Sequence, residues 1–290
     1  MTIHTHKQHI LACIDGSATT ESVCDHAAWY ANQLSLPVAL LHTSELPSST
    51  RHDWSGAIGV NSREFLLEEL TEIDEQRAKV INRYSNALID DAKQYIKTNH
   101  PETEVLVYQR HGKLLPAIEH FGDTNRVIVM GRRGEDHKNS RLNIGSQIET
   151  VARAVHVPVF ICSETFHIPQ SYMIAFDAGE NAQKIIKVIQ DSPLLRELSG
   201  HIVMIGRHNK VAEERLEEAG RLLKMSGFTV QTHHLPDGVV VDGLLSFQVE
   251  HGIDILVIGA YGHSKWQQFF LGSSTTEIIA STFASVILVR

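Results

Sequence analysis

A glycine-rich stretch near the C-terminal end of the sequence carries the clearest chemical signal. In the run GAYGHSKWQQFFLGSS, Gly259 and Gly262 stand three positions apart, nine residues separate Gly262 from Gly272, and Ser273 and Ser274 follow. Glycine is disfavoured inside regular structure, so this density indicates unusual dihedrals or the close approach of a ligand. Backbone amides, serine hydroxyls and the N-terminus of a following helix would together bind a phosphate. The stretch is not a P-loop, because no lysine follows the last glycine.

The same glycines also have a plain structural interpretation, which the sequence leaves open. Glycine is common where a strand meets a loop or a loop meets a helix, and Ser273 or Ser274 would serve as an ordinary helix N-cap. A second stretch of this kind follows the run RVIVMG, with ten residues in place of nine between its last two glycines; its residues are Gly131, Gly134, Gly145 and Ser146. The recurrence in matched context favours a ligand.

The elements around the two stretches are strands and helices that alternate in the same order twice. Three pairs of segments show the repeat: RVIVMGRRG with DILVIGAYG, GSQIETVARAVHVPVFI with GSSTTEIIASTFASVILV, and ACIDGS with IAFDAG. The sequence therefore predicts an internal duplication with domains at residues 1–166 and 171–290. Alternation of this kind predicts an α/β fold of two open, mostly parallel five-stranded sheets with helices on both faces, Rossmann-like in architecture.

In each repeat, one aspartate follows the first strand. In an open parallel sheet, ligands bind beyond the carboxyl ends of the strands, where we expect Asp15, Asp177, Gly131 and Gly259. The alternative is structural, because an aspartate after a strand often caps the next helix or closes an Asx-turn, as in Asp15-Gly16-Ser17. The two roles are compatible.

With these residues the chain resembles the universal stress protein family, as two tandem domains. Gly259, Gly262, Gly272 and Ser273 match the family's nucleotide motif residue for residue, whereas the first stretch has one residue too many. The runs HILACIDGS and LLHT are typical of the family's first and second strands. The resemblance implies an adenine-nucleotide-binding fold (adenine nucleotide alpha hydrolase-like) with five parallel strands per domain. The family also has members that hold no nucleotide.

The resemblance implies a set of binding residues for ATP, with or without Mg²⁺. Asp15 and Asp177 would lie near the adenosine or its metal ion. Thr43 would offer its backbone to the adenine edge, with Arg207 at roughly the matching place in the second unit. The ribose and phosphates would be held by Gly259, Gly262, Gly272, Ser273 and Ser274, with Gly131, Gly134, Gly145 and Ser146 as first-unit counterparts. Arg132 and Arg133 either help a phosphate or face solvent.

Composition excludes several classes of function. A net charge of −8 argues against a nucleic-acid-binding surface, and no apolar run reaches the roughly 18–20 residues that span a bilayer. The start of the sequence has no apolar signal core, so we expect the cytoplasm. Three cysteines without motif spacing predict reduced core thiols. The 18 histidines match no metal-ligand spacing, and we expect them to be solvated, with no metal site.

Three functions compete at this point: a stress-response regulatory protein that binds adenine nucleotide, an interaction scaffold on the same fold, and a slow ATPase. The sequence holds no paired nucleophile and base, so no catalytic residue is predicted. The last strand of each repeat is apolar and would lie at a sheet edge, which is a hazard if left bare. Domains of the family often pair through that edge, so the resemblance implies that the two halves pair within one chain. We also expect a homodimer of chains, which the sequence itself does not show. Residues 44–64, with Trp54, form a lid, a plug or a surface loop.

Overall fold

The computed structural model describes residues 8–44, 60–132, 146–179, 182–259 and 274–290, which form ten strands and eight α-helices. The first half comprises β1 (His9–Cys13), α1 (Thr20–Leu34), β2 (Val38–Ser44), α2 (Val60–Asn99), β3 (Val105–His111), α3 (Leu114–Glu119), β4 (Asn125–Gly131), α4 (Ser146–Ala154) and β5 (Val159–Cys162). The second half comprises β6 (Ser171–Ala175), α5 (Ala182–Gln190), β7 (Ser199–Ile205), α6 (Lys210–Met225), β8 (Thr229–Leu235), α7 (Val240–His251), β9 (Ile255–Gly259), α8 (Ser274–Ser281) and β10 (Ser285–Val289). The two halves repeat the same order, as predicted.

The strands form one sheet in the order β3-β2-β1-β4-β5-β10-β9-β6-β7-β8. Each half is a five-stranded parallel sheet, as predicted, and the two join edge to edge into a single ten-stranded sheet. The junction is the antiparallel pair β5 and β10, in which Ile287 lies opposite Phe160. Pairing of these two apolar strands within one chain was predicted, because each would otherwise leave unpaired backbone groups at an edge.

Helices cover both faces of the sheet, and each face has its own hydrophobic core. Along β1, Ile10 and Ala12 belong to one core and Leu11 to the other, since successive side chains of a strand point to opposite faces. Helices α1, α2, α5 and α6 contribute to the first core, and α3, α4, α7 and α8 contribute to the second. Burial on both faces explains why these strands have continuous apolar sequences.

Two helices differ in extent from the sequence pattern. Helix α2 has 40 residues and begins at Val60, so the last residues of the predicted loop 44–64 are helical. Residues 45–59, with Trp54, lie outside the described residues, and the lid and plug hypotheses stay untested. The pattern also predicts one helix over 181–198, but α5 ends at Gln190 and a 3₁₀ turn begins at Pro193, because proline lacks the amide that continues a helix. Within the described residues, no helix combines the length and apolarity needed to cross a membrane.

Candidate functional site

Each half of the sheet reverses its strand order between its first and fourth strands. From β1 the chain proceeds through β2 to β3 on one side and then returns to β4 on the other. Such a reversal of strand order opens a crevice where ligands of α/β proteins bind. In the second half, Ala175 of β6 pairs with Ile258 of β9, so the chain beyond them, with Asp177 and Gly259, reaches this edge.

The two aspartates close equivalent turns at these crevices. The backbone N–H of Ser17 donates to Asp15 Oδ1 at 3.0 Å, and the N–H of Gly179 donates to Asp177 Oδ1 at 2.9 Å. The residue between the aspartate and the N–H donor has a positive φ in both turns, +81° at Gly16 and +54° at Ala178. The Asx-turn, which the sequence offered as the alternative role of these aspartates, is therefore present in both halves. It fixes each carboxylate at the edge where a ligand of the crevice would meet it.

Different side chains from the second helix of each half reach these turns. A Cβ atom at Gly16 would overlap the hydroxyl of Tyr84, so that phenol lies directly against the turn. In the second half, Arg215 of α6 donates from Nη1 to the carbonyl oxygen of Ala178 at 2.6 Å. The first crevice thus has an aromatic hydroxyl at the position where the second has a guanidinium. Neither residue carries a signal in the sequence, because each is an ordinary position in a long helical pattern.

The glycine stretches are described only at their ends. Gly131 and Gly259 end β4 and β9, and helices α4 and α8 begin at Ser146 and Ser274, at the predicted loop-to-helix junctions. A Cβ atom at Gly259 would overlap Cδ1 of Ile185, so this glycine has a packing role against α5. The remaining predicted residues of the two stretches, Gly134, Gly145, Gly262, Gly272 and Ser273, lie outside the described residues.

The strand register corrects the match between Thr43 and Arg207. Ile14 N donates to Leu41 O in the first half, and Phe176 N donates to Val203 O at the equivalent point of the second. Thr43 therefore corresponds to Ile205, two residues before Arg207. The guanidinium of Arg207 is 89% exposed and its Nε donates to Asp237 Oδ2 at 2.8 Å. Ile205 is the residue whose backbone matches Thr43.

Arg132 neither faces solvent nor lies free beside the first glycine stretch. It is only 5% exposed, and its two terminal nitrogens donate to the carbonyl oxygens of Thr282 and Ala284 in the second half. These carbonyls follow the C-terminal end of α8, where the helix dipole favours a cation. The guanidinium of Arg132, which we expected either to help a phosphate or to face solvent, therefore joins the two halves. Arg133 lies outside the described residues.

The prediction of solvated histidines is wrong for the few that are buried, and the prediction of cysteines without a disulfide is confirmed. Histidine was expected at the surface, but His26 and His42 are buried, and His42 bonds Ile14 O and Ser85 Oγ. Burial lowers the pKa of His26 to about 4. The cysteines are free, as predicted, and burial raises the pKa of Cys13 and of Cys24 to about 12. Cys24 and Cys162 lie in the first hydrophobic core, and Cys13 packs against the second.

Comparison with known proteins agrees with this architecture. The model of the universal stress protein family matches residues 7–163 and 176–290. A universal stress protein from Synechocystis is 28% identical over 288 residues, which cover 98% of this chain and 100% of that protein. The crystal structure of a universal stress protein from Archaeoglobus fulgidus superposes with a TM-score of 0.68 at 17% identity, covering 98% of this chain and 97% of that one. A functionally unknown protein from Pseudomonas aeruginosa gives 0.62 at 15% identity, covering 98% and 92%.

Proposed function

Because the chain belongs to the universal stress protein family, with two tandem copies of the domain, we propose that it is a stress-response regulatory protein that binds ATP. The site is the crevice between β6 and β9 in the second half. The observation that carries the proposal is the Asp177 turn, which holds a carboxylate at the carboxyl edge beside the end of β9. A strand-order reversal at the same place supports a ligand there.

The binding residues we propose combine described positions with the sequence motif. Asp177 meets the adenosine or a bound Mg²⁺, and the backbone of Ile205 takes the part first assigned to Arg207. The N-terminus of α8, at Ser274, faces the phosphates, since free amides and the helix dipole favour anions. Gly259, Gly262, Gly272 and Ser273 complete the set by their match to the family motif. Arg215 adds a guanidinium at the Asp177 turn.

The first half fits the nucleotide less well than the second. Its turn is covered by the hydroxyl of Tyr84, and its basic residue Arg132 is used in the contact between halves. Its glycine stretch has ten residues where the family motif has nine. We therefore propose that ATP binds more tightly to the second half. For the first half, an interaction scaffold on the same fold stays the alternative.

We extend the proposal to the setting of the protein. The division into domains at residues 1–166 and 171–290 corresponds to the start of β6 at Ser171. The three free thiols are compatible with a reducing compartment, which supports the cytoplasm. We expect a homodimer of these chains from the family. We expect no nucleic-acid partner, because the net charge is −8. We propose no dedicated catalysis, and slow ATP hydrolysis stays an alternative.

The test is the nucleotide content of the purified protein and its dependence on the two aspartates. Protein that is heat-denatured should release adenine nucleotide, identified by chromatography. Asp177→Asn keeps the size of the side chain and removes its charge, and we expect it to reduce the released nucleotide more than the matched variant Asp15→Asn. Protein that releases none and does not take up added ATP would contradict the proposal.

A further inference from the structure

A second site lies at the same carboxyl edge of the second half, at the ends of β7 and β8, among residues that the proposed nucleotide site does not use. We propose that His208, Glu213 and His234 form a binding site for a divalent transition-metal ion. These three are brought together from the β7–α6 loop, the first turns of α6 and the end of β8. Their ligand atoms all lie within 4.8 Å of one another.

The geometry of the cluster centres on one carboxylate oxygen. Glu213 Oε1 lies 2.7 Å from Nδ1 of His208 and 3.2 Å from Nδ1 of His234. In tetrahedral zinc sites the metal–nitrogen and metal–oxygen distances are about 2.0–2.2 Å, which places neighbouring ligand atoms roughly 3.3 Å apart. The separation from His234 is close to that value and the one from His208 is shorter, so a shift of the exposed His208 side chain away from Glu213 would admit an ion among the three atoms.

The hydrogen bonds of His234 point its free nitrogen at the cluster. Its Nε2 lies 3.0 Å from the carbonyl oxygen of Gly206, which only accepts, so Nε2 carries a proton. In a neutral ring the lone pair of Nδ1 then faces Glu213 Oε1, which is itself an acceptor. A cation between these atoms removes the conflict. Protein histidines that bind metals usually donate their other ring N–H to a carbonyl or carboxylate in this way.

The backbone holds two of the three residues in place. Asn209 is the N-cap of α6, and its side chain accepts from the N–H groups of Val211 and Ala212, which fixes the turn that carries Glu213. His234 is paired with Met204 in the ladder between β8 and β7. The side chains are 84% exposed at His208, 40% at Glu213 and 12% at His234. An ion can therefore enter from solvent and keep water as a further ligand.

The ligand set indicates which ions would bind. Two imidazoles and one carboxylate suit zinc, nickel, cobalt or copper in preference to magnesium or calcium, which take oxygen ligands. The sequence predicts no metal site, because His208 and His234 lie far apart in the chain and match no linear motif. The adjacent His233 does not contribute, since it lies 3.0 Å from His201 and packs against Phe247 of α7.

Titration of Zn²⁺ into the untagged, chelator-treated full chain tests the site. We expect one ion per chain to bind with an affinity that Glu213→Gln and His234→Ala each lower by at least about tenfold, because a ligand is lost. Cobalt(II) should report the same site by visible absorption stronger than that of the hydrated ion. Two matched controls, His233→Ala and His167→Ala, should keep the wild-type affinity; His167 pairs with Asp254 at 2.9 Å and so resembles the His208–Glu213 pair.

Thermal unfolding separates binding from folding. Without metal, Glu213→Gln should unfold like the wild type, since Glu213 is partly exposed and glutamine keeps its shape. With Zn²⁺, the melting temperature of the wild type should rise and that of Glu213→Gln should not, because a ligand that binds only the folded state stabilises it. The proposal is wrong if the wild type binds no Zn²⁺, or if both ligand variants bind it as tightly as the wild type. None of these outcomes depends on ATP, so they do not bear on the proposed function.

Discussion

The Nε2 atom of His26 lies 3.0 Å from Oγ of Ser285, which joins helix α1 of the first half to strand β10 of the second. The other ring nitrogen, Nδ1, lies 2.7 Å from the carbonyl oxygen of Ser22 and must carry the proton, since that oxygen only accepts. Nε2 therefore accepts from the Ser285 hydroxyl, which in turn accepts from the N–H of Ser163 at 3.1 Å. This buried network connects the two halves beside the β5–β10 ladder, and burial favours the neutral imidazole within it.

Removing the hydroxyl of Ser285 should destabilise the chain. Ser285→Ala leaves His26 Nε2 and Ser163 N–H without this partner in a buried place, at a cost of about 1–3 kcal/mol. Urea unfolding measures the change in the free energy of unfolding. The matched control is Ser281→Ala at the exposed end of α8, which should change it by less than about 0.5 kcal/mol. Equal effects from the two variants would show that the network adds nothing to stability.

The same histidine should make the fold sensitive to acid. The pKa of His26 is lowered to about 4, mainly by burial, from an ordinary value of 6.5. The unfolded chain therefore binds a proton at higher pH than the folded one. The contribution of the neutral His26 ring to the free energy of unfolding is fully present above pH 6.5. It is lost as the pH falls toward 4, by about 3 kcal/mol in total.

A variant that does not titrate isolates this effect. The pKa values of His201 and His233 are also lowered by burial, so they add to acid sensitivity with the same sign. The free energy of unfolding of His26→Gln should fall less steeply than that of the wild type between pH 6.5 and 4. Parallel curves for the two proteins would mean that His26 is not the titrating group.

Substitution of Arg132 should lower the free energy of unfolding and leave the affinity for ATP unchanged. Arg132→Met keeps the apolar stem but removes the two bonds to Thr282 and Ala284, and we expect a loss of about 2–4 kcal/mol in the free energy of unfolding. Arg221→Met is the matched control, since that side chain is 64% exposed. ATP affinity of the folded variant should equal that of the wild type. Weaker ATP binding with unchanged stability would restore the phosphate role.

Gly259 should be required by packing even in the absence of a ligand. In Gly259→Ala the new methyl group overlaps Cδ1 of Ile185, and overpacking of this kind costs about 1–3 kcal/mol. Ile185→Val removes that carbon, so the double variant should regain part of the stability that Gly259→Ala loses. Thermal unfolding of the single and double variants checks this. No loss from Gly259→Ala alone would contradict the packing role.

The order of strands and helices could be predicted because burial leaves a direct mark on the sequence. Strands such as Val38–Ser44 are covered on both faces and have nearly continuous apolar runs. The Asx-turns were also predictable, since Asp15-Gly16-Ser17 is a local pattern that needs no tertiary contact to form.

Contacts between distant segments could not be predicted in this way. Arg132 is adjacent to a glycine stretch in sequence, but its guanidinium binds the second half, and this depends on how β5 and β10 pair. Tyr84 and Arg215 reach the aspartate turns from helices whose positions the sequence does not specify. Pairing of the two apolar edges could be predicted, but its antiparallel register, with Ile287 opposite Phe160, depends on how the two edges fit together.

Calorimetric titration of ATP into two matched glycine variants shows whether ATP binds chiefly to the second half. Gly262→Val and Gly134→Val place the same side chain at equivalent positions of the two stretches, where it would obstruct close approach of the backbone to a phosphate. We expect Gly262→Val to abolish the tighter binding event and Gly134→Val to leave it unchanged. Equal losses in the two variants, or a greater loss in Gly134→Val, would contradict it.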